Sequence, residues 1–502
     1  MSSSSREIVT IQVGHYSNYI GTHLWNNFDV ESSVDYYNTS FFNINENKRT
    51  PRLILFDRRG ALKWLSNVVD PSSSQTHELD ANTEYIDRSN GDNEKSDYLK
   101  DLDNIKEKKE KLEPTNFEQT IRSWPDFLHT KLTFNPRSLI TLQDHWHNDS
   151  DNNNEQFDIY HAGIQAYKQQ VNEIEETFHY LLEQCDCLQG FRCLCDTTDG
   201  FSGLYSSIQD YLYEECPKRP TFTYLNFKPK TDSKQNQTDL LNFCLTFANS
   251  VCTNEMPTIP LSLQYPFESN NKKVEFSSVK YDSTSFYQTS FLLSIAIQHS
   301  LISSSFTYDT LVDRLCPRKN YLLSLSSMLP FDFNSSSTLL AYLQDRDLFS
   351  DLTNLTPFIN QEKIDNNPLA CHCFIRGINQ QHLYNRHTTQ STLQFNSASS
   401  LIDNYFHEQY PTTMITSSSS WEHKLLFQLP YPFKQLNNNS LLTMVKNDKN
   451  NSKSFIKTLM DYKKIYLNNY NKLSKRYEEY GFEYDQFEQM ETDLKYLDDL
   501  YI

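Results

Sequence analysis

The sequence lacks the basic surplus that a general nucleic-acid-binding protein needs. Its 502 residues include 46 Lys and Arg against 64 Asp and Glu, which gives a net charge of -18 at pH 7. Because DNA and RNA are bound largely by neutralising their phosphates, this balance argues against nucleic acid as a partner. The plainer meaning of the charge is solubility.

Long apolar runs are also missing. The longest, Phe291 to Ile297, is interrupted by Ser294 and is far shorter than the ~20 residues that span a bilayer. The N-terminal MSSSSREIVTIQV enters an alternating apolar stretch at once, unlike a secretory signal or an Arg-rich transit peptide. We therefore expect a cytosolic protein without a transmembrane segment, whose association with any organelle is peripheral.

Several motifs of enzymes and metal sites are absent as well. The sequence has no HExxH, GxSxG or GxxxxGK[ST] motif and no internal repeat. The pairs Cys185/Cys187 and Cys193/Cys195 could supply four thiolates to zinc, but structural zinc sites usually space such pairs as CxxC. Cys371-His372-Cys373 lies on an alternating strand pattern, which turns the histidine away from both cysteines. We predict no metal site.

What is present is a repeated strand–turn–helix pattern. The apolar stretch Ile8 to Val13 precedes Gly14 and a helical pattern, and the stretch Leu53 to Phe56 precedes Asp57. A third apolar strand follows the amphipathic helix pattern of Val171 to Leu182 and precedes a polar turn at Thr197. This arrangement predicts a parallel sheet with crossover helices, which makes the fold class α/β.

Composition divides the chain into three predicted parts. Residues 1–216 form an N-terminal domain with a charged, low-complexity insert at 71–115, which we expect to bury no core. Residues 217–437 form a middle domain whose end, from Asn379 to Asn437, is rich in loops. Residues 438–502 form a C-terminal helical segment with an aromatic stripe from Phe455 to Tyr477. That stripe either packs against the body or binds a partner.

Several separated segments resemble tubulins and, more narrowly, the misato family of tubulin-like proteins. Arg6 to Gly14 resembles the opening strand of tubulins, and Cys185 to Phe191 resembles the segment that leads into their glycine-rich phosphate loop. The narrower resemblance rests on Gly14-His15 with Trp25-Asn26, Trp124-Pro125-Asp126 to Asn135-Pro136-Arg137-Ser138, Phe157-Asp158 with Gly163, and Phe374-Ile375-Arg376-Gly377. It extends from Arg6 to the C-terminal helices, excluding the insert. It implies a parallel-sheet N-terminal domain, an α+β middle domain and C-terminal helices.

The resemblance also implies a remnant nucleotide pocket. Its predicted residues are Gly14, His15, Asn18, Asp57, Gly200, Ser202 and Gly203. Of the glycine run in the tubulin loop, only Gly200 and Gly203 are kept, and Asp199 would stand beside phosphate. Two like charges ~4 Å apart repel by about 4 kcal/mol at intermediate dielectric. Arg59 replaces an acidic residue, and Tyr16 and Ser17 replace small ones.

The group that completes hydrolysis in tubulins is an acid just before a Met-x-Pro-Phe strand. The corresponding stretch here, Arg318 to Ser324 before Met328-Leu329-Pro330-Phe331, has no carboxylate, so nothing in it would position an attacking water. We therefore predict a protein with no catalytic residue and no required cofactor. Arg58, Arg59 and His15 leave weak GTP binding as an open alternative.

The family resemblance implies a function in mitochondrial distribution, morphology and inheritance, including the partitioning of mitochondrial DNA. The expected location is the cytoplasm and the outer surface of mitochondria. Expected partners are mitochondrial outer-membrane or cytoskeletal proteins, with tubulin or its chaperone machinery as further candidates. Two alternatives stay open: a self-assembling GTPase, and an adaptor for tubulin or its folding machinery that uses the acidic helical tail.

Overall fold

The computed structural model describes residues 6–31, 33–45, 48–61, 98, 120–128, 136–146, 157–230, 237–266, 272–302, 307–331, 338–345, 348–357, 368–379, 383, 395–411, 413, 415–426, 433, 436, 438–468, 477 and 484–500. The insert predicted at 71–115, except for Tyr98, lies outside these residues.

A parallel sheet forms the centre of the N-terminal part, as the strand–turn–helix pattern predicted. Its strands are β1 (Glu7–Val13), β4 (Leu53–Arg59), β5 (Leu139–Trp146), β6 (Leu188–Asp196), β7 (Thr221–Asn226) and β8 (Thr258–Leu261). Their order in the sheet is β5-β4-β1-β6-β7-β8. The short strands β2 (Phe42–Asn45) and β3 (Lys48–Pro51) pair separately as an antiparallel hairpin.

Helices cover both faces of this sheet, as expected when crossovers join parallel strands. They are α1 (His15–Val30), α2 (Asp35–Phe41), α3 (Tyr160–Gln169), α4 (Val171–Glu183), α5 (Phe201–Glu215), α6 (Gln237–Ala248), α7 (Phe286–Ser300) and α8 (Tyr308–Leu315). One apolar core holds side chains of α1, α7 and α8, and the other holds side chains of α3, α4, α5 and α6.

A second sheet follows, with the order β10-β9-β13-β11-β12. Its strands are β9 (Ser324–Met328), β10 (Thr353–Asn354), β11 (Ala370–Arg376), β12 (Ile415–Trp421) and β13 (Leu441–Asn447). The helices α9 (Leu339–Asp345), α10 (Leu348–Asp351) and α11 (Ala398–Gln409) accompany it. β11 confirms the strand predicted around Cys371-His372-Cys373, where buried His372 lies 2.9 Å from the Ile302 carbonyl oxygen.

Two sequence expectations differ from these elements. The segment from 379 to 437, predicted to be rich in loops, contains the helix α11, and its serine run Ser417–Ser420 forms most of β12. There the Ser417 hydroxyl lies 2.9 Å from His372 Nδ1 and the Ser418 hydroxyl donates to the Ser399 carbonyl at 2.7 Å. The first sheet also continues beyond residue 216, since β7 and β8 extend it. The boundary predicted at 216/217 therefore falls within one sheet.

The C-terminal helices α12 (Lys449–Asn468) and α13 (Tyr484–Leu500) pack against the body. Phe455 and Leu459 are fully buried, and the Phe455 ring lies 5.3 Å from that of Phe247 in α6. Met490 and Leu494 of α13 enter the same core. For Phe455 and Leu459, this is packing against the body, the first of the two alternatives given for the aromatic stripe. The remainder of the stripe, apart from buried Tyr477, lies outside the described side chains.

One residue of the charged insert contradicts the expectation that the insert buries no core. Tyr98 is 1% exposed and its hydroxyl lies 3.0 Å from that of Tyr287 in α7. A single aromatic residue in a polar segment was too weak a signal to reveal this contact, because local composition averages it away.

A buried ion pair joins the two sheets. Glu31, directly after α1, accepts hydrogen bonds from Arg376 Nη1 at 3.0 Å and Nη2 at 2.5 Å, and both residues are at most 3% exposed. His299 Nδ1 lies 2.7 Å from the Ile295 carbonyl oxygen, so that nitrogen donates and Nε2 accepts from Arg376 at 2.9 Å. Burial and, to a smaller extent, the positive charge of Arg376 lower the pKa of His299, so the ring stays neutral.

Candidate functional site

The candidate site lies where the strand order of the first sheet reverses. From β1 the chain adds β4 and β5 on one side and later β6, β7 and β8 on the other. Val13 and Cys195 are paired across β1 and β6, so the loops after these two strands lie side by side. Ligands of open parallel sheets bind in the crevice at such a position. The predicted remnant pocket falls here.

Asp196, the last residue of β6, occupies the N-terminus of α1. Its carboxylate accepts from the Tyr16 amide at 2.9 Å, the Ser17 amide at 2.8 Å and the Ser17 hydroxyl at 2.7 Å. Gly14 has φ of 112°, and a Cβ there would lie 2.5 Å from Asp196 Cγ. Free amides at a helix N-terminus are a ready anion site. In this protein its own carboxylate fills that site.

Asp199 does the same at the N-terminus of α5. Its Oδ1 accepts from the Phe201 amide at 3.0 Å, and its carbonyl oxygen accepts from the Ser202 amide at 3.1 Å. The Ser202 hydroxyl also donates to that carbonyl. The predicted site residue Ser202 is therefore bonded within its own turn.

Lys228, two residues beyond β7, joins the two acidic residues. Its Nζ lies 3.5 Å from Asp196 Oδ2 and forms an ion pair with Asp199. Burial raises the pKa of the Asp196 carboxyl, and Lys228 opposes that rise. Burial alone would lower the pKa of Lys228, but Asp199 and Asp196 more than offset it, so the net shift is upward. The two carboxylates at the helix ends thus carry their own counterion.

We expect Lys228→Met to lower the free energy of unfolding by about 2 kcal/mol at pH 7, a loss typical of hydrogen bonds to charged groups. Without Lys228, the folded-state pKa of Asp196 rises further above its unfolded value. A carboxyl whose pKa is higher in the folded than in the unfolded state contributes stability below its unfolded-state pKa. That contribution is lost as the pH rises through its folded-state pKa. The difference between wild type and variant should therefore be largest near pH 8 and smallest near pH 4, measured as denaturation midpoints.

Lys319→Met is the matched control. Lys319 contacts Glu255 at 2.9 Å, but its side chain is 68% exposed. Exposed pairs contribute little, so its midpoint should match wild type at every pH. A Lys228→Met loss that does not change between pH 4 and pH 8 would contradict the assigned role of the two buried acids.

Three predicted site residues meet around one carboxylate. Oδ2 of buried Asp57 lies 3.1 Å from His15 Nδ1 and accepts from Asn18 Nδ2 at 3.0 Å. Trp124 Nε1 donates to the same oxygen at 2.8 Å. The carboxylate that the resemblance placed beside a nucleotide is therefore surrounded by the protein's own donors.

The glycines of the degraded loop serve helix packing. A Cβ on Gly203 would lie 1.8 Å from the Tyr160 carbonyl oxygen, and one on Gly163 would lie 1.7 Å from that of Gly200. The Gly200 amide donates to the Phe157 carbonyl at 2.9 Å. These close approaches bring the backbones of α3 and α5 into contact. The Gly203 amide donates to the Gly200 carbonyl, so the amides of both glycines are hydrogen-bonded within the protein.

Sequence reasoning missed three residues of this site: Asp196, Lys228 and Asn226. Asn226 Nδ2 donates to the Ser17 hydroxyl at 3.0 Å. Their common signal is a polar side chain at or just beyond the carboxyl end of a buried strand, which parallel pairing brings to one edge. Trp124 was noted only as part of a family motif.

Acidic residues lie close in sequence to the stretch that was compared with the catalytic acid of tubulins. Pro317–Lys319 forms a short 3₁₀ turn before β9. The helix before that turn is α8, which carries Asp309 and Asp313. The absence of a carboxylate therefore applies to Arg318–Ser324 alone.

The described residues contain neither a membrane-spanning helix nor a cluster of metal ligands. Within these ranges no helix is long and apolar enough to cross a membrane. Among the same residues, no group of three or more His, Cys, Asp or Glu side chains could hold a metal ion.

Comparisons with known proteins agree on one family. The model of the Misato Segment II tubulin-like domain matches residues 6–123, and the Tubulin domain model matches residues 113–306. Protein misato homolog 1 of Macaca fascicularis is 26% identical over 487 residues, which cover 83% of this chain and 82% of that protein. Protein misato of Drosophila melanogaster is 26% identical, with 70% of each chain covered. Protein misato homolog 1 of Danio rerio is 28% identical over 298 residues, and that match spans about half of each chain, 49%.

Proposed function

Because the chain belongs to the misato family of tubulin-like proteins, we propose that it acts without nucleotide turnover in the distribution, morphology and inheritance of mitochondria and their DNA, from their cytosolic face. One observation carries the nucleotide part of this proposal. Asp196 and Asp199 accept the amide hydrogens at two helix N-termini, the groups that would otherwise bind phosphate.

The arrangement opposes phosphate by both charge and geometry. A phosphate beside either carboxylate would meet a repulsion of about 4 kcal/mol at ~4 Å and intermediate dielectric. To reach the amides of Tyr16 and Ser17 it would have to displace Asp196, which has no exposed surface. Burying that carboxylate elsewhere without Lys228 would cost several kcal/mol, on the order seen for unpaired buried charges.

Calorimetric titration of the purified full chain with Mg-GTP tests this part. We expect no saturable heat, which corresponds to a dissociation constant weaker than about 1 mM. Addition of GTP should likewise leave the thermal midpoint unchanged. Micromolar binding, with turnover that rises steeply with protein concentration, would instead support the self-assembling GTPase.

Depletion of the protein from its host cells tests the mitochondrial part. We expect the mitochondrial network to collapse or to be shared unequally between daughter cells, with loss of mitochondrial DNA from some of them. Re-expressed wild-type chain should restore both, and should fractionate with mitochondria until carbonate extraction releases it. Unaltered networks and equal inheritance after depletion would refute the mitochondrial role without bearing on nucleotide binding.

A further inference from the structure

Arg192 is a charged side chain inside the apolar core. It lies on β6 between Thr10 of β1 and Phe222 of β7 and is 1% exposed. Its guanidinium carbon lies 4.3 Å from the centre of the Phe41 ring. The side chain therefore enters the core shared by α2, α7 and α8, on the face opposite the C-terminal helices.

The guanidinium has no carboxylate acceptor among the described residues. Nε, Nη1 and Nη2 are all buried, and no ion pair joins them to a described carboxylate; the polar group that interacts with them is the neutral hydroxyl of Tyr308. The other buried arginines differ: Arg376 is bound by Glu31, and Arg52 by Glu7 at 2.6 Å. An unpaired buried charge costs several kcal/mol, so a group of this kind calls for a counterion.

The side chains around it offer donors rather than charge. The buried Tyr308 hydroxyl interacts with Arg192 itself, and the Thr10 hydroxyl is buried without a partner on the same side of the sheet as Arg192. The Tyr224 hydroxyl is occupied by Ser300 at 2.6 Å. Burial raises the pKa of Tyr308 and of Tyr224, so both stay neutral. The cluster thus carries one uncompensated positive charge.

We propose that Arg192, with the hydroxyls of Tyr308 and Thr10, holds a small monovalent inorganic anion such as chloride. The ligand is an anion because the only charge in the cluster is positive, and because both hydroxyls beside it are neutral and keep a hydrogen to donate. It is small because the three side chains are buried between β1, β6 and α8. A bound halide would neutralise the guanidinium and connect these three elements.

Bromide replacement gives the direct test. Crystals of the full chain grown in sodium bromide, with anomalous data at the bromine edge, should show a peak at hydrogen-bond distance from the Arg192 guanidinium. The peak should disappear in crystals grown with gluconate, which is too large to enter. Water alone at this position in bromide crystals, or a guanidinium with only aromatic rings around it, would overturn the proposal.

Stability in solution gives a second, independent readout. At constant ionic strength, replacement of gluconate by chloride should raise the unfolding midpoint of the wild type. Above the dissociation constant, each tenfold rise in chloride should increase the folded-to-unfolded ratio tenfold. Arg192→Met should remove this dependence, whereas Arg49→Met, at a half-buried arginine paired with Asp29, should keep it. An equal chloride dependence of the midpoint in wild type and Arg192→Met would refute the site. If that variant does not fold, the wild-type midpoint decides, and a midpoint that does not change with chloride refutes the site.

Discussion

Replacing Arg376 with methionine is expected to lower the free energy of unfolding by about 3–5 kcal/mol, because Glu31 would stay buried without its cation. The pair joins α1 to β11 at distances of 3.0 and 2.5 Å. Arg376 also donates to the carbonyl oxygens of His423 at 2.9 Å and Lys424 at 3.2 Å. The loss should appear as a lower urea midpoint, followed by circular dichroism at pH 7.

Two further variants separate the charge from the packing. Lys319→Met removes the cation of an exposed pair, since the side chains of Lys319 and Glu255 are 68% and 44% exposed, and should leave the urea midpoint unchanged. The double variant Glu31→Met with Arg376→Met should regain most of the lost stability, since a buried pair replaced by apolar groups is often neutral. A double variant as unstable as Arg376→Met alone would show that the charge left on Glu31 is not the cause.

Gly203→Ala is expected to destabilise the protein by about 1–3 kcal/mol or more, the range for overpacked interiors. The added Cβ would lie 1.8 Å from the Tyr160 carbonyl oxygen, and backbone cannot rotate away as a side chain can. α3 and α5 would have to separate. The loss should be measured as a denaturation midpoint in the absence of any nucleotide.

Ser207→Ala, one turn further along α5, is the control. It removes a hydroxyl bonded to the Gly203 carbonyl at 3.3 Å but adds no volume, so its midpoint should shift by less than about 0.5 kcal/mol. If Gly203→Ala were as stable as wild type and differed only in GTP affinity, the glycine would belong to a phosphate cradle instead of a helix contact.

For the residues of the candidate site, the sequence predicted their position in the sheet but not their hydrogen-bond partners. Gly14, His15, Asn18 and Asp57 lie together at one edge of the first sheet, because each stands at or just beyond the end of a strand that the apolar pattern predicted. Their partners could not be foreseen: Asp196 is 180 residues from Tyr16, and Trp124 is 67 from Asp57. Hydrogen bonds over such separations depend on strand order, which local patterns do not record.

The sequence by itself determined the parallel sheet, the helices next to its strands, the C-terminal helices and the resemblance to the misato family, since apolar periodicity and short motifs are local properties. The tertiary structure alone decided three things: that Asp196 and Asp199 occupy the helix N-termini, that Gly200 and Gly203 serve packing, and that Arg192 has no carboxylate partner among the described residues. The physical reason is that the free energy of a buried charge or a close backbone contact depends on neighbours that only folding brings together.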